Sequence, residues 1–256
     1  KQLQRDRVIY AEIRFAPLLH TEGGLAPGEV VEQVVKSTRE GIEKYGVEAR
    51  LILCTMRHFN EQQSLETVKL VADYAGTLVA GFDIAGDEAG FPIDAHLKAF
   101  EFAREHHIKC TAHAGEARGA HSVWETIRHF HPGRIGHGVR SIEDDNLLEF
   151  IRKKRLHLEV CPICNIQVNV FDRITDHPVD LLYKKGISLS INTDGRTITD
   201  TTLAREYRCL ENNFQWTVEH FRRCNLEAID HAFAPDEIKE RIRKELLRAY
   251  GDGPQP

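Results

Sequence analysis

No apolar run in the 256 residues approaches the roughly 20 residues of a membrane span, and no N-terminal charged, apolar, small-residue pattern marks a secretory leader. The sequence therefore points to a cytoplasmic protein and away from a membrane. It also lacks any long Lys/Arg block, and its formal charge is -5. That balance argues against nucleic acid or a membrane surface as partner and leaves a small-molecule ligand as the default. The six cysteines (Cys54, Cys110, Cys161, Cys164, Cys209, Cys224) are scattered, the first three inside apolar, strand-like runs, as reduced and mostly buried thiols are. No linker is long or low-complexity enough to divide the chain, so residues 1–256 are expected to form a single domain.

An apolar content of 41% with 29% charged residues is ordinary for a globular chain, and this length can bury roughly three quarters of the unfolded surface. Seven apolar, β-branched runs are predicted as strands: 8–16, 49–56, 78–85, a run ending near Ala112, 134–139, 156–161 and 187–194. Between them lie stretches with helical spacing, such as Val30, Val31, Val34 and Val35 behind Pro27, a residue suited to a first helical position. Ser141 to Asp144 resembles a capping box for the helix through Ile151. Strands alternating with helices imply a parallel sheet. No strand-to-helix turn carries a G-x-G-x-x-G cradle, whereas polar residues gather at nearly every strand's C-terminal tip. The expected fold is therefore a β/α barrel rather than an open doubly wound sheet. Lys1 to Arg7 looks like the tail of a helix feeding the first run, so the barrel is expected to be short of its first strand, N-terminally incomplete, with helices at its C-terminal end.

In a barrel the strand tips converge, so tip residues far apart in sequence become neighbours. They are Gly86-Asp87-Glu88, His113 with Glu116, His137 and Asp194. An H-x-x-E pair alone is a weak signal in a chain with 14 histidines. A histidine and an aspartate as ligands, a carboxylate for proton transfer and a second histidine for an attacking water make a set suited to metal-assisted hydrolysis.

Five segments carry a resemblance. Asp83-Ile-Ala-Gly86-Asp-Glu, Thr111-Ala-His113-Ala-Gly-Glu116, Arg134-Ile-Gly-His137-Gly, Glu159-Val-Cys161-Pro and Ser190-Ile-Asn-Thr-Asp194 resemble, in this order, the motifs of the adenosine deaminase family, over a span from Val8 to the last helix. The resemblance implies a zinc-dependent barrel that hydrolyses the exocyclic amine of a purine nucleoside, with one Zn2+ per chain. By position it makes His113 and Asp194 zinc ligands, Glu116 the acid that protonates the purine ring, and His137 the group that orients and deprotonates the water. Gly86 and Gly195 would face the substrate. Glu116 must carry a proton at neutral pH to act so, which calls for a raised pKa.

Two departures follow. The family's metal site also uses a His-x-His pair, which no position before His113 provides, so two further histidine ligands are expected upstream of Lys1. Asp194 is followed by Gly195 where well-known members carry a second aspartate that bonds the purine. The alternatives are thus a deaminase of another 6-aminopurine compound, adenine or a larger adenosine derivative, and a purine-binding barrel without turnover. Cys161-Pro-Ile-Cys164 fails the cytidine-deaminase signature, which requires H-x-E and P-C-x-x-C. A thioredoxin-like role for the two thiols would need a different fold.

Overall fold

The computed structural model describes residues 1–251; of Gly251–Pro256, which reads in the sequence as a tail, residues 252–256 lie outside the described residues. The elements are α1 (Gln2–Arg5), β1 (Tyr10–Phe15), α2 (Pro27–Tyr45), β2 (Glu48–Met56), α3 (Glu61–Asp73), β3 (Val79–Ala85), α4 (Leu97–Glu105), β4 (Thr111–Ala114), α5 (Ala120–Phe130), β5 (Arg134–His137), α6 (Asp145–Lys154), β6 (His157–Val160), α7 (Pro162–Gln167), α8 (Val179–Lys184), β7 (Leu189–Ile191), α9 (Leu203–Phe214), α10 (Val218–His231) and α11 (Asp236–Tyr250). The expected seven strands and the helices between them are all present. Among the described residues no helix is long and apolar enough to cross a membrane.

The described residues divide into two compact units, residues 1–113 with 125–133, and residues 114–124 with 134–251. In the first, β1, β2 and β3 pair in parallel, Ile13 against Leu51 and Leu53 against Phe82. The interior of β2 is buried throughout, as its nearly continuous apolar run requires of a central parallel strand. Phe82 and Phe100 pack at 4.9 Å, and Phe100 stacks on Phe130 at 3.7 Å. A parallel bridge from Phe82 to Cys110 brings the start of β4 beside β3.

In the second unit β5, β6 and β7 are parallel, Gly136 opposite Glu159 and Val160 opposite Ile191. Ala114, the last residue of β4, accepts a hydrogen bond from the Gly138 amide at 3.0 Å. Two glycines make these tips possible. Gly115 (φ 70°) has Val123 Cγ2 2.4 Å from where a Cβ would stand, and Gly138 (φ 64°) has Leu158 Cδ2 at 2.7 Å.

Three local expectations need correction. His113 lies within β4 rather than beyond the strand's end, because residues 107–110 are the approach to it. The helix after β5 is not opened by a box at Ser141. Residues 139–143 form a 3-10 turn, and Asp144 caps α6 by accepting from the amides of Asn146 and Leu147. The last strand stops at Ile191, so Asp194 (φ 51°) lies in the loop behind it.

Candidate active site

The first unit holds His113 and Gly86. Asp83 is fully buried in the middle of β3, and its carboxylate accepts from His113 Nδ1, at 3.1 Å to Oδ2 and 3.2 Å to Oδ1. Arg14 reaches Asp83 Oδ2 at 3.1 Å and also contacts His113 Nε2. Burial alone would raise the Asp83 pKa, but His113 and Arg14 outweigh it and hold the carboxyl below its usual range. A carboxylate on Nδ1 fixes the ring so that Nε2 carries the lone pair, which faces Arg14 here; the same tautomer is the one in which histidine ligates a metal. Arg57 is buried and donates from Nη2 to the His113 carbonyl at 2.8 Å, which ties the ends of β2 and β4 together. Gly86 (φ 105°) stands at the tip of β3, where a Cβ would meet Met56 Cε at 3.3 Å.

The second unit gathers Glu116, His137 and Asp194. His137 Nε2 lies 3.4 Å from Glu116 Oε2 and 3.8 Å from Asp194 Oδ2. Both His137 (φ 60°) and Asp194 (φ 51°) hold left-handed backbone, a conformation that costs a non-glycine residue about 1–2 kcal/mol and clusters at functional sites. The short helix α7, started by Pro162 where β6 ends, supplies the remaining contacts. Cys164 donates its thiol hydrogen to Asp194 Oδ2 at 3.1 Å. Asn165 Nδ2 donates to Glu116 Oε1 at 2.9 Å and faces His137 Nδ1 at 3.2 Å.

The two thiols here are donors and not redox groups. Burial first, then the Asp194 carboxylate, pushes the pKa of both Cys161 and Cys164 well up, and both are free. A thiol so held is inert. Behind α7, buried Glu206 of α9 accepts from the Ile163 amide at 3.1 Å, and burial pushes its pKa up to about 8. Gly195 turns the chain after Asp194, its carbonyl accepting from the amides of Ile198 and Thr199 at 2.8 and 2.9 Å. A Cβ at Gly195 would meet Ile198 at 3.5 Å or more, ordinary van der Waals contact.

The donor chemistry suits zinc. In the second unit the Asp194 carboxylate supplies an oxygen donor, with His137 and Cys161 gathered within 4.8 Å of it, and in the first unit Asp83 orients His113 as a ligand is oriented. Of the expected residues, Glu116, His137 and Asp194 stand together with Gly195 following, and His113 and Gly86 belong to the other unit. Asp83, Asn165, Cys164 and Glu206 were not anticipated. Only Asp83 left a trace in the sequence, an acid in the middle of an apolar strand.

A profile of the adenosine deaminase family matches residues 1–249. The adenosine deaminase of Clostridium acetobutylicum is 34% identical over 243 residues, which cover 95% of this chain and 72% of that protein. Adenosine deaminase 1 of Streptomyces coelicolor is 37% identical over 269 residues, 98% of this chain and 67% of that one. Among solved structures, adenine deaminase from Arthrobacter aurescens superposes with a TM-score of 0.90 at 25% identity, over 96% of this chain and 75% of that one. The N6-methyl-AMP deaminase of Arabidopsis thaliana gives 0.85 at 26%, over 94% and 73%. The fold is thus the β/α barrel type of these deaminases. The chain belongs to the adenosine deaminase family, whose members are hydrolytic deaminases acting on purine carbon–nitrogen bonds.

Proposed function

We propose that the chain hydrolyses adenosine, or deoxyadenosine, to the inosine product and ammonia. The observation that carries this reading is the cluster of Glu116, His137 and Asp194 within one unit, Nε2 of His137 lying 3.4 Å from one carboxylate and 3.8 Å from the other. Relatives 34–37% identical over nearly the whole chain bear the adenosine deaminase name.

An amine is a poor leaving group on an aromatic ring, so the ring must lose aromaticity at the carbon under attack. Proton transfer to the neighbouring ring nitrogen favours that loss, and Glu116 is the residue for it. Asn165 holds Glu116 in place by donating to its Oε1 at 2.9 Å. His137 holds the attacking water from the Nε2 side. His113 and Asp194 are the proposed protein ligands of a zinc ion, and catalytic zinc takes at least three, so other donors join them. What zinc supplies when bound is acidity, lowering the pKa of water from about 15.7 to about 7. Gly86 leaves room for the purine beside the tip of β3, and Gly195 does the same behind Asp194.

Gly195 favours a second reading, in which the substrate is another 6-aminopurine compound. It offers no side-chain acceptor to the purine, and proteins of similar fold include an adenine deaminase and an N6-methyl-AMP deaminase. Ammonia release measured across adenosine, deoxyadenosine, adenine, AMP and N6-methyl-AMP tests both. Adenosine or deoxyadenosine as the fastest substrate supports the first reading, and adenine or a nucleotide as the fastest supports the second. Purine binding without ammonia release from any of them defeats both in favour of a binding protein.

A further inference from the structure

One backbone amide and three side chains of the second unit form a hydrogen-bond chain whose polarity can be followed from end to end. It starts at the Val179 amide, which donates to His177 Nδ1 at 3.1 Å. A backbone N–H can only donate, so Nδ1 accepts. His177 is buried, and burial pushes its pKa down to about 3, which keeps the ring neutral. Its one ring hydrogen is therefore on Nε2, which donates to Asn165 Oδ1 at 3.2 Å. That bond decides which end of the Asn165 amide is the oxygen. The amide nitrogen, with two hydrogens and no accepting lone pair, then faces Glu116 Oε1 at 2.9 Å and His137 Nδ1 at 3.2 Å.

We propose that Val179, His177 and Asn165 fix His137 as the tautomer with its hydrogen on Nε2, aimed towards Glu116 Oε2 and Asp194 Oδ2. His177 and Asn165 are then positioning residues of the deaminase site. Asn165 is fully buried, so its amide has no water to turn towards. His177 also packs edge-on against the Phe171 ring at 5.1 Å. The consequence for His137 differs from the role implied by the family motif. A neutral ring with hydrogen on Nε2 holds an oxygen by donating to it, and has no lone pair there with which to take that oxygen's proton or to ligate a metal. His137 therefore orients the attacking water by donating to its oxygen. Only this assignment of role rests on the proposed deaminase activity; the tautomer stands on the hydrogen bonds alone.

The test is a long-range 1H–15N spectrum of the full chain labelled with 15N-histidine, with His137→Asn identifying the His137 signals by their disappearance. The expected result is a pyrrole-type Nε2 and a pyridine-type Nδ1 for His137 in the wild type. His177→Gln, which keeps a donor for Asn165 Oδ1, retains that pattern. Asn165→Asp, which puts an acceptor opposite Nδ1, moves hydrogen onto Nδ1 and lowers kcat about tenfold or more, with KM changed much less. A wild-type His137 with hydrogen on Nδ1, or with both nitrogens at averaged shifts, overturns the proposal whether or not any variant folds. If ammonia is released and the hydrogen is on Nδ1, the tautomer assignment alone fails. If the hydrogen is on Nε2 and no aminopurine is deaminated, the functional reading alone fails.

Discussion

Cys164 donates its thiol hydrogen to Asp194 Oδ2 at 3.1 Å, so the carboxylate proposed to hold zinc is oriented by a residue three positions after Cys161, in the helix α7. Partners of this kind typically change metal affinity or activity about 10–100-fold when removed. Cys164→Ala is expected to lower zinc content or kcat/KM by about tenfold, and Cys164→Ser, which keeps a donor, to stay near wild type. Both are checked by metal analysis beside steady-state kinetics. Equal behaviour of the two variants would remove the role assigned to the thiol.

Gly195 leaves space for a side chain, since a Cβ there meets Ile198 at no less than 3.5 Å. Gly195→Asp supplies the acceptor that well-known members of the family direct at the purine. The variant is expected to fold with an unchanged melting temperature and to shift the ratio of kcat/KM values between adenosine and adenine by about tenfold, the worth of one well-placed hydrogen bond. An unchanged ratio would show that the side chain at position 195 does not face the substrate.

The chain should lose stability in mild acid. His157 opens β6, is buried, and bonds to Ser188 Oγ at 2.9 Å and Ser190 Oγ at 3.0 Å. Burial first, then the His231 ring stacked at 4.6 Å and Arg134, holds its pKa well below 6.5. His96 and His177 are shifted the same way by burial. A depressed folded-state pKa means that the unfolded chain takes up protons as pH falls through about 6.5 while the folded chain does not. Stability is therefore full above that value and declines below it, by up to about 1.4 kcal/mol per pH unit for each such group. Urea midpoints between pH 8 and 5 check the slope, and His157→Asn should flatten it.

Glu206 carries the opposite sign. Its carboxyl is buried, with a pKa pushed up to about 8, so the folded chain keeps a proton that the unfolded chain loses above about 4.5. Stability from this group is full below about 4.5 and falls as pH rises towards 8. Glu206→Gln keeps an oxygen for the Ile163 amide and needs no proton. It is expected to raise the melting temperature at pH 8 and to leave it unchanged at pH 5; the reverse ordering would contradict the assignment.

The alternation of strands and helices, and the strand-tip residues Glu116 and His137, were legible because each lies in a short run whose local pattern states its place. Asp194 was legible as a residue, although its strand ends three residues earlier. The residues that orient them were not. Asn165 is 49 positions from Glu116 and 28 from His137, and nothing in Cys161-Pro-Ile-Cys164-Asn165 announces an amide between a carboxylate and an imidazole. His177 lies between Asp176 and Pro178 in what looks like a solvated turn, yet it is buried. The tautomer of His137 depends on a contact two residues removed, which only the folded arrangement creates. The Asp144 cap was obscured by Ser141, a better-looking helix start displaced by a 3-10 turn.

The most direct test of the account is ammonia release from adenosine by the zinc-loaded full chain, run in parallel with Glu116→Gln. The account predicts turnover by the wild type, and in the variant unchanged zinc content with turnover reduced by about 100-fold or more, the range of a lost general acid. Near wild-type turnover by Glu116→Gln would contradict it.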